Sequence, residues 1–176
     1  MSFNIRRIIT VAIIIIVCFL LQCTLFQSLE IASISPNLML IVTSSFGFMR
    51  GRKEGMIIGF FCGLISDIFF GDIIGFYALL YMLMGLINGA FKKMFYPDDI
   101  KLPMTLIGVS DLILNIFIYF FLFLFRSRFH FIYYFLNIML PELVYTMVVT
   151  LVLYFIILKI NNHLEEIAKR SASKFV

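Results

Sequence analysis

Long apolar runs separated by short polar or basic clusters make up most of this chain. A helix needs about 20 apolar residues to cross a bilayer. Two of the runs are short, and fusing them would give five spans, but Gly71, Asp72 and Gly75 lie between them and favour a tight turn. The pattern therefore predicts six membrane spans, over residues 8–26, 31–49, 55–70, 76–91, 102–125 and 137–158.

The basic residues predict the orientation of these spans. If the N-terminus lies in the cytoplasm, twelve lysines and arginines fall on the inner side, and only Arg126 and Arg128 fall outside. Such a bias is typical of cytoplasmic loops, and it favours six spans over five. Both termini are then cytoplasmic. The outer connections near residues 27–30 and 71–75 are expected to be turns, and the aromatic segment 127–137 is expected at the outer interface.

Composition narrows the class of protein further. The chain has 176 residues, of which 62% are hydrophobic and 14% charged, and its mean hydropathy is +1.07. Soluble domains are about half apolar and a quarter charged, so this composition indicates a membrane protein. We expect residues 1–176 to form a single six-helix membrane domain with a cytoplasmic tail over 159–176. The net charge of +4 does not indicate nucleic acid, because the basic residues lie in clusters between the apolar runs.

Small residues recur at every fourth position through the middle of the chain. Successive positions four apart drift by about 40° around a helix, so one straight partner should contact only Gly59, Gly63 and Asp67 together. Gly85 and Gly89 form a second pair with the same spacing in span four. We interpret the pattern as a packing seam between spans three and four rather than a docking site for another protein. Its glycines are Gly47, Gly51, Gly55, Gly59, Gly63, Gly71 and Gly75, and Asp67 takes the skipped step.

Four polar side chains within the spans are candidates for chemistry. Asp67, Asp111 and Glu142 are intramembrane acids, and Asn115 follows Asp111 by one helical turn. They could form a proton relay, a cation site or a polar ligand pocket, or they could make structural hydrogen bonds between helices. We favour the structural interpretation for Asp111 and Glu142, and we keep both interpretations for Asp67.

Catalysis has little support in the sequence. His130 is predicted at the outer interface and His163 in the cytoplasmic tail, so the two histidines lie on opposite sides of the membrane. No Ser–His–acid grouping, phosphate-binding loop or metal-ligand spacing is visible. We therefore expect no catalytic residue, cofactor or metal.

The segment from Ser35 to Phe91 resembles the bacterial rod shape-determining protein MreD family. The resemblance includes a proline that opens span two, an Arg-Gly step, a Gly-x-x-x-Gly spacing that leads into Gly-Leu-x-x-Asp, and a glycine-rich turn. The second half of the chain agrees with the family in its length, its number of spans and its Leu140-Pro141 step. The matching positions are Pro36, Arg50, Gly51, Gly55, Gly59, Gly63, Leu64, Asp67, Gly71 and Gly75.

The resemblance implies a function in bacterial cell elongation at the cytoplasmic (inner) membrane. It implies a multi-pass, non-enzymatic scaffold that binds the single-span protein MreC. Indirect partners would be MreB filaments and the glycosyltransferase RodA with its transpeptidase. Membrane lipid is a further expected contact, and a homodimer is left open.

The family's fold is similar to the six-helix substrate-binding subunits of energy-coupling factor transporters. The alternative is therefore a solute-binding subunit of such a transporter. Those subunits usually carry spaced alanines on span one, where this chain has only Ala12. A proton-coupled carrier is a third alternative, in which Asp67→Asn would abolish transport and leave folding intact.

Overall fold

The computed structural model of the chain describes residues 2–26, 34–71, 73–94, 100–124 and 131–172. Nearly all of these residues are helical, which confirms the all-α prediction. We number the helices α1 to α6 in chain order. Helix α1 is Ser2–Leu21, extended by the π-helical turn Gln22–Phe26. Next come α2 (Leu38–Arg50), α3 (Arg52–Phe70), α4 (Phe76–Ala90, followed by the 3-10 turn Phe91–Met94) and α5 (Lys101–Ile118, extended by the π-helical segment Tyr119–Leu124). Helix α6 comprises Phe131–Tyr134, the π-helical turn Phe135–Met139 and Leu140–Ala172.

Three of these helices are long and apolar enough to cross a bilayer by length and composition. They contain the stretches Arg6–Thr24, Lys101–Phe121 and Phe131–Ile167, and α2 is a shorter apolar helix. The membrane class expected from the composition agrees with these helices. The count of six spans and the cytoplasmic termini stay predictions.

Two helices differ in extent from the predicted spans. Helix α2 begins at Leu38 rather than at residue 31, because the side chain of Asn37 accepts a hydrogen bond from the Leu40 N–H and caps the helix there. Helix α6 begins at Phe131 rather than at residue 137 and continues to Ala172. The aromatic segment predicted at the outer interface is thus helical from residue 131 onwards.

Several predicted features lie outside the described residues. These are the outer turn at 27–30, the interface residues 127–130 with Arg126 and His130, Asp72, the inner loop at 95–99 and the last residues 173–176.

Helix α2 is the centre of the bundle. Every side chain from Leu38 to Met49 is buried, and α2 contacts α1, α3, α4, α5 and α6. Its 13 residues span only about 20 Å, so α2 is shorter than the hydrocarbon core of a bilayer. Thr43, Ser44 and Ser45 in its middle allow neighbouring helices to approach closely.

Helices α3 and α4 pack backbone to backbone along the glycine positions. A methyl group on Gly85 would overlap the carbonyl of Gly55, and one on Gly59 would overlap the carbonyl of Tyr81. Further along, Gly63 meets the backbone of Tyr77 in the same way. Because the numbers rise on one helix while they fall on the other, the two helices are antiparallel. The chain therefore reverses direction between them, and a single fused span does not form.

The contact between α3 and α4 is longer than we expected from the 40° drift between positions four residues apart. Gly55 lies against Gly85, and Gly89 lies against the backbone of Gly51 and Arg52, so the seam continues beyond Gly59, Gly63 and Asp67. The expectation of a three-residue face considered only a straight partner helix. Rows of residues four apart are inclined to the helix axis, and a partner that crosses obliquely follows such a row.

Replacing Gly85 by alanine is expected to destabilise the bundle. The added methyl group meets the fixed backbone of Gly55, and overpacking of this kind costs about 1–3 kcal/mol. The measurement is the thermal unfolding midpoint of the purified protein in detergent. Gly108→Ala is the matched control, because the atoms nearest to its methyl group would belong to the flexible side chains of Met147 and Leu143 rather than to backbone. Equal midpoints for the two variants would contradict the seam.

Candidate functional site

Asp67 joins the end of α3 to the beginning of α4. Its carboxylate accepts hydrogen bonds from the backbone N–H groups of Gly75 at 2.9 Å, Tyr77 at 2.8 Å and Ala78 at 2.9 Å. The first N–H groups of a helix have no partner within the helix, and a negative charge is favourable at that end. Asp67 therefore caps α4 from the preceding helix, and it is 1% exposed.

Two neighbouring glycines complete this junction. A methyl group on Gly71 would lie 2.7 Å from the carbonyl oxygen of Asp67, and Gly75 has a φ of +102°, which L side chains rarely adopt. Both carboxylate oxygens of Asp67 are engaged by fixed backbone donors. The geometry favours the structural interpretation of Asp67 over a mobile proton site.

A polar cavity of about 280 Å³ lies near this junction, at the end of the bundle where α2 and α4 begin. All six helices, or the residues just before them, contribute to its wall. Three amides and three phenols provide much of its polarity, namely Gln22, Asn37, Asn115, Tyr77, Tyr81 and Tyr134. Its one lining acid among the described residues is Glu142.

The N-terminus of α2 holds one wall of the cavity in place. The side-chain oxygen of Asn37 accepts from the Leu40 N–H at 3.1 Å and from the Tyr81 hydroxyl at 2.7 Å. The side-chain oxygen of Gln22 accepts from the N–H groups of Leu38 at 3.1 Å and Met39 at 3.4 Å. These bonds satisfy the free donors at the beginning of α2 and orient the lining amides.

Asp111 and Asn115 on α5 and Glu142 on α6 form a polar cluster beside the cavity. Asn115 and Glu142 both line the cavity and interact with each other, and Nδ2 of Asn115 donates to the backbone oxygen of Asp111 at 3.1 Å. Asp111 is fully buried and interacts electrostatically with Glu142, yet within the described part of the chain neither of its carboxylate oxygens has a hydrogen-bond partner. Unpartnered oxygens differ from the structural hydrogen bonds that we expected for Asp111, since the sequence could not show which donors would reach it.

The predicted polar residues therefore divide into two groups. Asn115 and Glu142 line the cavity and Asp111 lies next to them, whereas Asp67 is engaged at the α3–α4 junction. Within the described residues, no three His, Cys, Asp or Glu side chains are placed to hold a metal ion. His163 is exposed on α6.

Arg50 organises the opposite end of the bundle. Its side chain is 6% exposed, and its Nε donates to Oδ1 of Asn161 on α6 at 2.7 Å. Glu54 pairs with both Arg50 and Arg7, and Lys92 donates to the Arg50 carbonyl at 2.9 Å. Arg50 is thus a link between α2, α3 and α6 as well as one of the basic residues of that end.

One buried amide was not recognised in the sequence. Nδ2 of Asn88 on α4 lies within hydrogen-bond distance of three oxygens, the hydroxyls of Ser44 at 3.2 Å and Ser110 at 2.7 Å and the Met84 carbonyl at 2.9 Å, which share its two N–H groups. These bonds connect α4 to α2 and α5. An amide within the apolar run of span four was the available signal, but nothing in the sequence indicated its partners. The lining residues Gln22, Asn37 and Tyr81 were missed for the same reason.

These features define an all-helical membrane protein with a tightly packed helical hairpin and a polar cavity at one end. The model of the rod shape-determining protein MreD family matches residues 2–164, nearly the whole chain. The chain therefore belongs to the MreD family, and membership assigns it a role in rod shape determination. Searches of curated proteins and of solved structures returned no match.

Replacing Asp67 by asparagine is expected to weaken the junction between α3 and α4. Asparagine has a single acceptor oxygen and no charge, so at least one of the three backbone donors loses its partner, at a cost of about 1–3 kcal/mol. The measurements are the thermal unfolding midpoint and amide hydrogen exchange at residues 75–78.

Ser66→Ala is the control for this change, because Ser66 donates only to the Cys62 carbonyl of its own helix. If Asp67→Asn leaves both the midpoint and the exchange rates at wild-type values, Asp67 does not cap α4.

Proposed function

We propose that this protein is a non-enzymatic membrane scaffold of the bacterial cell-elongation machinery and that it binds MreC. The family match over residues 2–164 carries this proposal. MreB filaments and RodA with its transpeptidase are then indirect partners, through the assembly that MreC joins.

The surface of the bundle suits a protein that works within the bilayer through its helix faces. Large apolar side chains are exposed along α1, α3 and α6, for example Ile8 at 68%, Phe69 at 66% and Val152 at 66%. Exposed apolar faces of this extent are rare on soluble monomers and mark contact with lipid or with other proteins. A single-span partner such as MreC would meet this surface with an apolar helix of its own.

We further propose that the protein lies in the inner membrane, crosses it six times and has both termini in the cytoplasm. The antiparallel packing of α3 and α4 supports a separate crossing for each. Arg7 of α1, Arg50 of α2 and Lys92 of the turn after α4 meet at one end of the bundle. Because basic residues favour the cytoplasmic side, this end is assigned to the cytoplasm and the cavity to the outer side.

Cysteine labelling tests this topology. In a chain without its native cysteines, Ile74→Cys lies between α3 and α4, and Lys93→Cys follows α4; both positions are exposed. A membrane-impermeant thiol reagent should label Ile74→Cys in intact spheroplasts and should label Lys93→Cys only after the membrane is disrupted. The reverse pattern would contradict the orientation, and labelling of both from one side would contradict separate spans.

Co-purification tests the proposed partner. The affinity-tagged chain, co-expressed with MreC in cells that lack their own copies of both proteins, should retain MreC through purification in mild detergent. A single-span protein with an unrelated apolar helix is the control for non-specific retention. Depletion of the chain should convert rods to rounded cells. Loss of MreC during purification, together with normal rods after depletion, would overturn the proposal.

A further inference from the structure

We propose that the polar cavity is a binding site for an ammonium group, carried either by a small free amine or by the headgroup of a membrane lipid. The inference depends on Glu142 and four aromatic rings that line one cavity, and on the buried carboxyl group of Asp111, which interacts with Glu142 without lining the cavity itself. It is independent of the scaffold function.

The charges around the cavity favour a cationic ligand. Glu142 lines the cavity, and Asp111 lies behind it in electrostatic contact. The described lining residues include no lysine or arginine, and Arg7, Arg50 and Lys92 lie around the other pocket, at the opposite end of the bundle. Removing the Glu142 carboxylate from water costs free energy, and a cation bound in the cavity would offset that cost.

The aromatic rings favour an ammonium group over a metal ion as the bound cation. Phe70, Tyr77, Tyr81 and Tyr134 line the same cavity, and the rings of Tyr77 and Tyr81 lie 6.4 Å apart, tilted towards each other by 31°. Ring faces attract alkylammonium ions, and aromatic cages are a common way to recognise them. A bare metal ion would instead need several oxygen ligands at short distance.

The remaining polar groups and the size of the cavity suit a small ligand with an oxygen near its ammonium group. The side-chain oxygens of Gln22 and Asn37 already accept from α2 and Tyr81, so these residues can offer a ligand only their NH₂ groups as donors. The volume of about 280 Å³ is near the lower end of ordinary ligand pockets. Phe70 is 56% exposed, so the lining reaches the surface of the bundle.

The first test uses the wild-type full-length protein in detergent. Choline and ethanolamine chlorides are compared with sodium chloride at equal ionic strength, and with the neutral alcohols in which carbon replaces the nitrogen. A ligand that binds only the folded state raises the unfolding midpoint as its concentration increases. At least one ammonium salt should raise the midpoint, whereas its neutral analogue should not.

The second test asks whether the carboxyl group is responsible. Glu142→Gln preserves shape but removes the charge, and it should raise the dissociation constant of the ammonium ligand about tenfold or more. Glu166→Gln, an exposed acid on α6 beyond both pockets, is the matched control and should leave that constant unchanged. If Glu142→Gln does not fold, the proposal is judged from the wild-type protein alone, by comparing the midpoint shifts with ammonium salts and with their neutral analogues.

A third measurement separates the two sources of the ammonium group. The protein is released from nanodiscs of phosphatidylethanolamine or of phosphatidylglycerol, and retained lipid is counted by native mass spectrometry. Preferential retention of phosphatidylethanolamine by wild type but not by Glu142→Gln identifies a headgroup, and stabilisation by the free salts alone identifies a soluble amine.

The proposal is overturned if no ammonium salt raises the unfolding midpoint and no phosphatidylethanolamine is preferentially retained. It is also overturned if the neutral alcohols raise the midpoint as much as the ammonium salts, or if Glu142→Gln binds the ammonium ligand as tightly as wild type. Glu142→Gln is expected to retain MreC during co-purification, so failure of the ammonium site leaves the scaffold function unaffected.

Discussion

The backbone contact between α3 and α4, closed at one end by Asp67, is the interaction on which the rest of the structure depends. Helices surrounded by lipid gain little from burying apolar side chains against each other, so close backbone approach and hydrogen bonding have to hold them together. Glycines at 55, 59, 63 and 85 permit the approach. Asp67 satisfies three donors at the beginning of α4 that neither lipid nor an apolar side chain could satisfy.

This hairpin also positions one wall of the polar cavity and the central helix α2. Tyr77 and Ala78, which donate to Asp67, begin the helix that carries Tyr81 to the wall of the cavity. Helix α2 packs into the hairpin, because Gly47 lies beside the backbone of Gly85. Its N-terminus reaches the cavity through Asn37, and its C-terminus reaches the basic end through Arg50. One central helix therefore connects the two polar ends of the bundle.

Much of the fold was predictable because the periodicity of apolar and small residues reports helix formation directly. The helical class, the reversal near Gly71–Gly75 and the motif of the MreD family all follow from local patterns. The beginning of α2 was predicted too early, since hydropathy does not detect the cap made by Asn37. The extent of the α3–α4 seam was underestimated, because the angle at which helices cross is not visible in either helix alone.

The sequence by itself determined that the chain is helical, that it belongs in a membrane and which family it resembles, since each of these depends on residues close together along the chain. Only the tertiary structure decided what the polar residues do. Asp67 and Asp111 look alike in sequence, each an acid within an apolar run. The carboxylate of Asp67 accepts three backbone hydrogen bonds, whereas the carboxyl oxygens of Asp111 have no hydrogen-bond partner within the described residues, because their surroundings come from different helices.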